Sequence, residues 1–283
     1  MDLFDTHVHL LHPEEFTYEG WEGTSILQKP RKLEDYRRVA GSGPASVRVQ
    51  SILFVEADVP AAQRAKEADF FGRIADHDRG NPALMAIIAG ALPESAEFPE
   101  QLGEIVKDAR VRGLRRVLSA QPNEMLQSEL FAENLRRLPA VNLSFDLCVR
   151  PHQLAAVTVL VDRCPQTQFV LDHCGAPDIA GGDLEGWRAA VKTLAERSNV
   201  ACKFSGLVSL ATPGRPLTPQ VRPVFEHCLD VFHPERMVWG SDWPVSSDLS
   251  AWLRTTAELL GELRDFEQAG IGTENAHRVY GMN

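Results

Sequence analysis

The sequence has little of what several large classes of protein require. No apolar run reaches the roughly eighteen residues of a membrane-spanning helix, so no transmembrane segment is expected. Basic residues are in deficit: 29 Lys and Arg stand against 39 Asp and Glu, a net charge of −10. That excludes the basic face which nucleic acid or an anionic membrane would need. A small anionic substrate stays admissible, because a local arginine pair can override the global field. Only five cysteines occur (Cys148, Cys164, Cys174, Cys202 and Cys228), an odd number with no C-x-x-C spacing. They read as reduced thiols, several of them inside strands, rather than a disulfide framework. The N-terminus has neither a basic region nor an apolar one of the signal-peptide kind, so a cytoplasmic location is expected. No low-complexity tract, charge block or composition shift marks a boundary, and residues 1–283 read as one domain.

What is present is alternation. Eight short apolar runs fall at 3–10, 49–57, 84–92, 113–120, 141–149, 168–175, 200–207 and 237–244. Longer amphipathic stretches separate them, at 32–40, 60–78, 99–110, 124–138, 152–164, 183–197, 219–232 and 248–263, and 273–282 makes a terminal helix. Near-continuous apolar strands suit a parallel sheet covered on both faces. Strand and helix repeated eight times predict a (β/α)8 barrel of the TIM type, α/β in class. Residues 11–31, with Gly20, Gly23 and Pro30, form a long loop expected over the barrel mouth.

In such a barrel, chemistry collects where the strands end. Strand one ends in "THVH", which puts His7 and His9 on one face. Strand two ends in Glu56, strand four carries Arg115 and Arg116, and strand five holds Asp146 with Arg150 beyond it. Strand six ends in Asp172-His173, strand seven holds Lys203 and Ser205, and strand eight ends in Ser241-Asp242-Trp243. A lone polar residue at a strand end is commonly a helix cap or a loop contact, and Glu56 and Asp172 admit that reading. Two imidazoles spaced by one, together with His173 and Asp242, do not, because buried polar groups left unpaired cost about 1–3 kcal/mol each. By alternation one of Arg115 and Arg116 points inward, and Arg115 is favoured. Arg150 is either a salt-bridge residue or an anion clamp. Trp239 reads as core, and Trp243 as either core or pocket wall. His12 is as well explained by a loop contact, and His77, His227, His233 and His277 by surface or packing roles.

"DTHVHL", "LDHCGAP" and "ERMVWGSDWPV", in that order, resemble the amidohydrolase superfamily. With "GLRRVL", "FDLCVRPHQL" and "CKFSGL" the chain is similar over nearly its whole length to the amidohydrolase-related branch of L-fuconolactonase, L-rhamnono-lactonase and pyrone-dicarboxylate lactonase kinds. The resemblance implies a distorted barrel spanning 1–283 and a lactonase site at its mouth. It implies Asp242 as general base, with His7, His9 and His173 as catalytic partners. The same four residues are the implied ligands of one divalent ion, zinc by preference. Some members of this branch work without metal, and the histidines would then donate hydrogen bonds directly. Strands four and five offer Arg115, Asp146 and Cys148 where the superfamily usually has a lysine, glutamate or histidine ligand, so a two-metal centre is not expected. Arg115, Arg150, Lys203, Asp146, Glu56, Ser205 and Trp243 are the expected substrate-binding set. A sugar-acid lactone is the expected partner. A carboxylated lactone, a lactone isomerisation and a non-catalytic ligand-binding barrel remain as alternatives. No helix face is apolar enough to mark an interface, which leaves a homo-oligomer open.

Overall fold

In the computed structural model, residues 1–18 and 29–282 are described. Eight parallel strands form one sheet in sequence order: β1 (Asp2–Val8), β2 (Arg48–Val55), β3 (Ala83–Gly90), β4 (Val111–Val117), β5 (Ser144–Cys148), β6 (Phe169–Leu171), β7 (Val200–Phe204) and β8 (Met237–Trp239). The sheet curls until β1 meets the segment after β8. There the Asp242 amide donates to the His7 carbonyl at 2.8 Å and the His9 amide to the Trp243 carbonyl at 2.8 Å. The Thr6 hydroxyl adds a bond to the Trp239 carbonyl at 2.7 Å. The expected (β/α)8 barrel is therefore present, and its seam runs beside the candidate site.

Alternation along the strands sorts side chains into layers. Phe4, Leu53, Val55, Ile88, Val170, Ala201 and Val238 pack together as one apolar cluster, closed by Tyr280, the residue that ends the terminal helix Asn275–Val279. Two residues further along the chain come Lys203 on β7, and Asp172 and Gly240 just past β6 and β8. The other strand faces turn to the helices and form a much larger core, including Phe54, Phe71, Phe131, Phe145, Phe169 and Trp252.

Several strands end earlier than their apolar runs. The run 168–175 is strand only to Leu171, because His173, Cys174, Gly175 and Ala176 all take positive φ. The run 200–207 stops at Phe204, just before Gly206 at φ +69°. The run 237–244 stops at Trp239, and Asp242 has φ +65°. The stretch 124–138 is two helices, Asn123–Gln127 and Glu129–Leu135, parted by Ser128, whose side chain caps the second. Of the long loop after β1, Leu11 bridges Arg31, while Gly20 and Gly23 lie outside the described residues.

Candidate active site

His7, His9, His173 and Asp242 converge at the C-terminal end of the barrel. The Nε2 atoms of His7 and His9 are 3.2 Å apart. Asp242 Oδ1 lies 3.6 Å from each of them and 3.9 Å from His173 Nε2. Each histidine is aimed from behind. His9 Nδ1 lies 2.9 Å from the Val55 carbonyl oxygen, which can only accept, so Nδ1 carries a proton and Nε2 is the atom turned to the site. His173 Nδ1 lies 2.9 Å from the Ser205 hydroxyl. His7 Nδ1 faces Asp172 at 3.4 Å and the Lys203 ammonium at 3.3 Å. Burial holds the His7 imidazole well below its ordinary pKa, against the pull of Asp172, so the ring is neutral.

Under this cluster runs a buried charge layer. Lys203 pairs with Asp146 at 2.6 Å and with Asp172 at 2.9 Å. Arg115 Nε pairs with Glu56 at 2.6 Å, and its Nη1 reaches His7 Nε2 at 3.3 Å and Asp172 at 3.7 Å. Burial alone would raise the pKa values of Asp172 and Glu56, but Lys203 and Arg115 respectively overcome it and hold both carboxyls below their ordinary range. Asp146 takes a further bond from the Tyr280 hydroxyl at 3.3 Å.

Above it opens a cavity of about 410 Å³, with His9, Arg115, Arg150, His173 and Asp242 in its wall. Asp58, Ser119 and Ser209 complete its polar lining, and Val117, Val149, Leu210 and Val245 supply apolar wall.

The residues expected to bind substrate thus fall into three groups. Arg115 and Arg150 face the cavity, whereas Arg116 pairs with Glu94. Glu56, Asp146 and Lys203 are spent on the buried charge layer, and Ser205 on orienting His173. Trp243 packs edge-on against Tyr36 at 5.6 Å and is 5% exposed, which makes it core. Asp58, Ser119 and Ser209 were not singled out from the sequence. Asp58 and Ser119 lie in loops and Ser209 in the one-turn helix Leu207–Leu210, segments with no periodicity to place them, although Asp58 lies three residues past strand two. Asp172, readable as a cap, is instead the hub of the charge layer.

The four site residues also meet a geometric condition for a cation. Ligands about 2.0–2.2 Å from a tetrahedral zinc ion stand roughly 3.3–3.6 Å from one another. The separations given above, 3.2 to 3.9 Å for four of the six pairs, lie near that spacing. The ligand atoms of His7, His173 and Asp242 lie within 4.8 Å of one another, so a three-protein-ligand arrangement is available too.

The barrel carries a His-x-His on its first strand, a histidine just after β6 and an aspartate after β8, the order on which the resemblance to amidohydrolases rests. The chain belongs to the amidohydrolase family, whose model matches residues 4–282. It is 30% identical over 207 residues to an L-fucono-1,5-lactonase of Burkholderia ambifaria, covering 71% of this chain and 69% of that one. It is 28% identical over 250 residues to a 4-sulfomuconolactone hydrolase of Rhizobium radiobacter, covering 86% and 76%. In fold it is similar to an amidohydrolase from Burkholderia multivorans crystallised with zinc, at a TM-score of 0.84 and 24% identity over 99% of both chains. No helix among the described residues is long and apolar enough to cross a membrane.

Proposed function

We propose that this protein hydrolyses a small, neutral, polyhydroxylated lactone of the sugar-acid class. The observation that carries the reading is the convergence of Asp242 Oδ1 on His7, His9 and His173 in the wall of a cavity of small-molecule size. Its relatives named as lactonases support the reaction class.

Lactone opening needs a water made nucleophilic, a carbonyl oxygen stabilised as it gains charge, and a proton for the departing ring oxygen. Asp242 takes the proton from the water. Its other oxygen accepts from the Ser246 hydroxyl at 3.2 Å, which leaves Oδ1 turned to the histidines. Arg115, a cation already fixed by Glu56, stands in the same wall and stabilises charge on the carbonyl oxygen. With no ion bound, His173, held by Ser205, delivers the proton to the ring oxygen. His7, His9, His173 and Asp242 would hold one divalent ion, zinc by the chemistry of the set, and it would polarise the carbonyl and acidify the water.

The substrate class follows from counting cations. Arg115 is neutralised by Glu56. Arg150 has no carboxylate within ion-pair distance among the described residues. One uncommitted cation does not match a dicarboxylate. Asp58, Ser119 and Ser209 offer hydrogen bonds suited to hydroxyl groups instead.

The test is proton release from a panel of aldonolactones, a sulfonated muconolactone and a pyrone dicarboxylate, with and without a chelator. Hydrolysis of the neutral lactones in preference to the charged ones is expected. Preference for a charged lactone would overturn the substrate class, and inertness toward every member would overturn the lactonase reading. Loss on chelation with recovery on adding zinc would establish that a divalent ion takes part, with the four residues as its expected ligands. Chelator-insensitive turnover would leave the histidines as direct hydrogen-bond donors.

A further inference from the structure

Behind His173 lies a second convergence of ligand atoms. Cys174 sits in the turn Asp172–Gly175, Cys202 on β7, and Cys228 in the helix Leu217–Phe232. Their three sulfur atoms lie within 4.8 Å of one another. All three thiols are free and fully buried within the large apolar core. Packing alone does not require three sulfurs to meet, since any small apolar side chain fills such space.

The spacing admits one soft ion. Sulfur ligands about 2.3 Å from a shared centre stand roughly 3.3–4.0 Å apart, from pyramidal to planar geometry, inside the 4.8 Å that bounds these three sulfurs. The surroundings decide its charge. An uncompensated charge in an apolar interior is strongly disfavoured. Three thiolates around a divalent ion leave one negative charge, whereas around a trivalent metalloid they leave none.

We propose that Cys174, Cys202 and Cys228 form a three-thiolate site for a soft thiophilic ion, with trivalent arsenic as its best-matched member. Binding of arsenous acid is a ligand exchange. Three As–O bonds break and three As–S bonds form. Each thiol proton leaves with a hydroxide as water, so three waters are released and arsenic stays trivalent. Access comes from the cavity side, because the turn that carries Cys174 also carries His173 and leads into Ala176, both in the cavity wall. That turn takes positive φ at four successive residues and is pinned by the Trp187 indole, which donates to the Cys174 carbonyl at 2.8 Å.

The test is native mass spectrometry of the full chain titrated with inorganic arsenite. The expected wild-type adduct is one arsenic less three hydrogens, the signature of three thiolates. Cys228→Ala should give an adduct heavier by one water, from two thiolates and a hydroxide, or lower the affinity at least tenfold. Cys202→Ala serves the same purpose if Cys228→Ala does not fold. Cys148→Ala and Cys164→Ala should behave as wild type. No wild-type adduct at arsenite concentrations that saturate a small dithiol would overturn the proposal. So would a wild-type adduct already carrying the extra water, or the three-thiolate adduct surviving in Cys228→Ala. None of these readouts depends on lactone turnover, so the site stands or falls apart from the proposed activity.

Discussion

Gly206 has no room for a side chain because of His173. A Cβ added at Gly206 would stand 2.4 Å from His173 Nδ1, and the residue already takes φ +69°. The glycine follows Ser205, whose hydroxyl holds that same nitrogen. Gly206→Ala should therefore push the ring out of line and strain the backbone. We expect a loss of turnover of at least tenfold and a loss of stability of about 1–2 kcal/mol. Ser205→Ala should lose a comparable share of turnover with little change in stability. Kinetics beside urea unfolding of both variants separates the two effects, and full activity in Gly206→Ala would mean that the position of His173 is not critical.

Asp242→Asn keeps the shape of the side chain and can keep its contact with the Ser246 hydroxyl, 3.2 Å away. It removes the basic oxygen that faces three imidazoles. General-base catalysis is worth about 10²–10⁴-fold, so turnover should fall by that factor. The melting temperature should stay within a few degrees of wild type. Stopped-flow or pH-indicator kinetics on the best lactone of the panel checks this, and a variant within threefold of wild type would remove Asp242 from the role of base.

The barrel was legible because its signal is repeated: eight apolar runs, each followed by an amphipathic stretch. His7, His9, His173 and Asp242 were legible because they end strands, and strand ends face one another in a barrel. The roles of Glu56, Asp146, Asp172 and Lys203 were not. Sequence marks a charge at an inward position, but whether it meets substrate or another charge depends on neighbours from β2, β4, β5, β6 and β7 that no local pattern pairs. Early strand endings escaped for a related reason. "LDHCG" is apolar enough for a strand, and only the tertiary setting turns His173 and Cys174 into the left-handed region.

Lys203 is the counter-ion of two buried carboxylates, at 2.6 Å from Asp146 and 2.9 Å from Asp172. Lys203→Met fills much the same volume and leaves both acids without it. Removing one member of a buried ion pair costs about 3–5 kcal/mol, because the partner's charge stays behind. Lys203→Met should lose stability of that order, and adding Asp146→Asn should restore part of it. Denaturant unfolding of the single and double variants measures both. A single variant within 1 kcal/mol of wild type, on the same scale, would show that the layer does not depend on Lys203.

Asp5 makes stability depend on pH in the opposite direction from an ordinary salt-bridged acid. Its carboxylate accepts from the Ser241 amide at 2.7 Å, the His7 amide at 3.1 Å and the Tyr36 hydroxyl at 2.6 Å, which ties β1 to the segment after β8. Burial nevertheless pushes its pKa up to about 6 in the folded chain. In the unfolded chain it titrates near its ordinary value of about 3.9. Below both values the acid is protonated in either state and its contribution is complete. As pH rises between them the unfolded chain ionises first, so stability falls until the folded pKa is passed. The change is on the order of 2–3 kcal/mol between about pH 4 and pH 6. Asp5→Asn cannot titrate and keeps an acceptor for the two amides. The stability of Asp5→Asn relative to wild type should therefore climb through that window and level off above it. Taking the difference cancels His7 and the other groups that titrate nearby. Urea unfolding of both proteins across the range reads it directly, and a flat difference would mean that Asp5 is already ionised in the fold at pH 4.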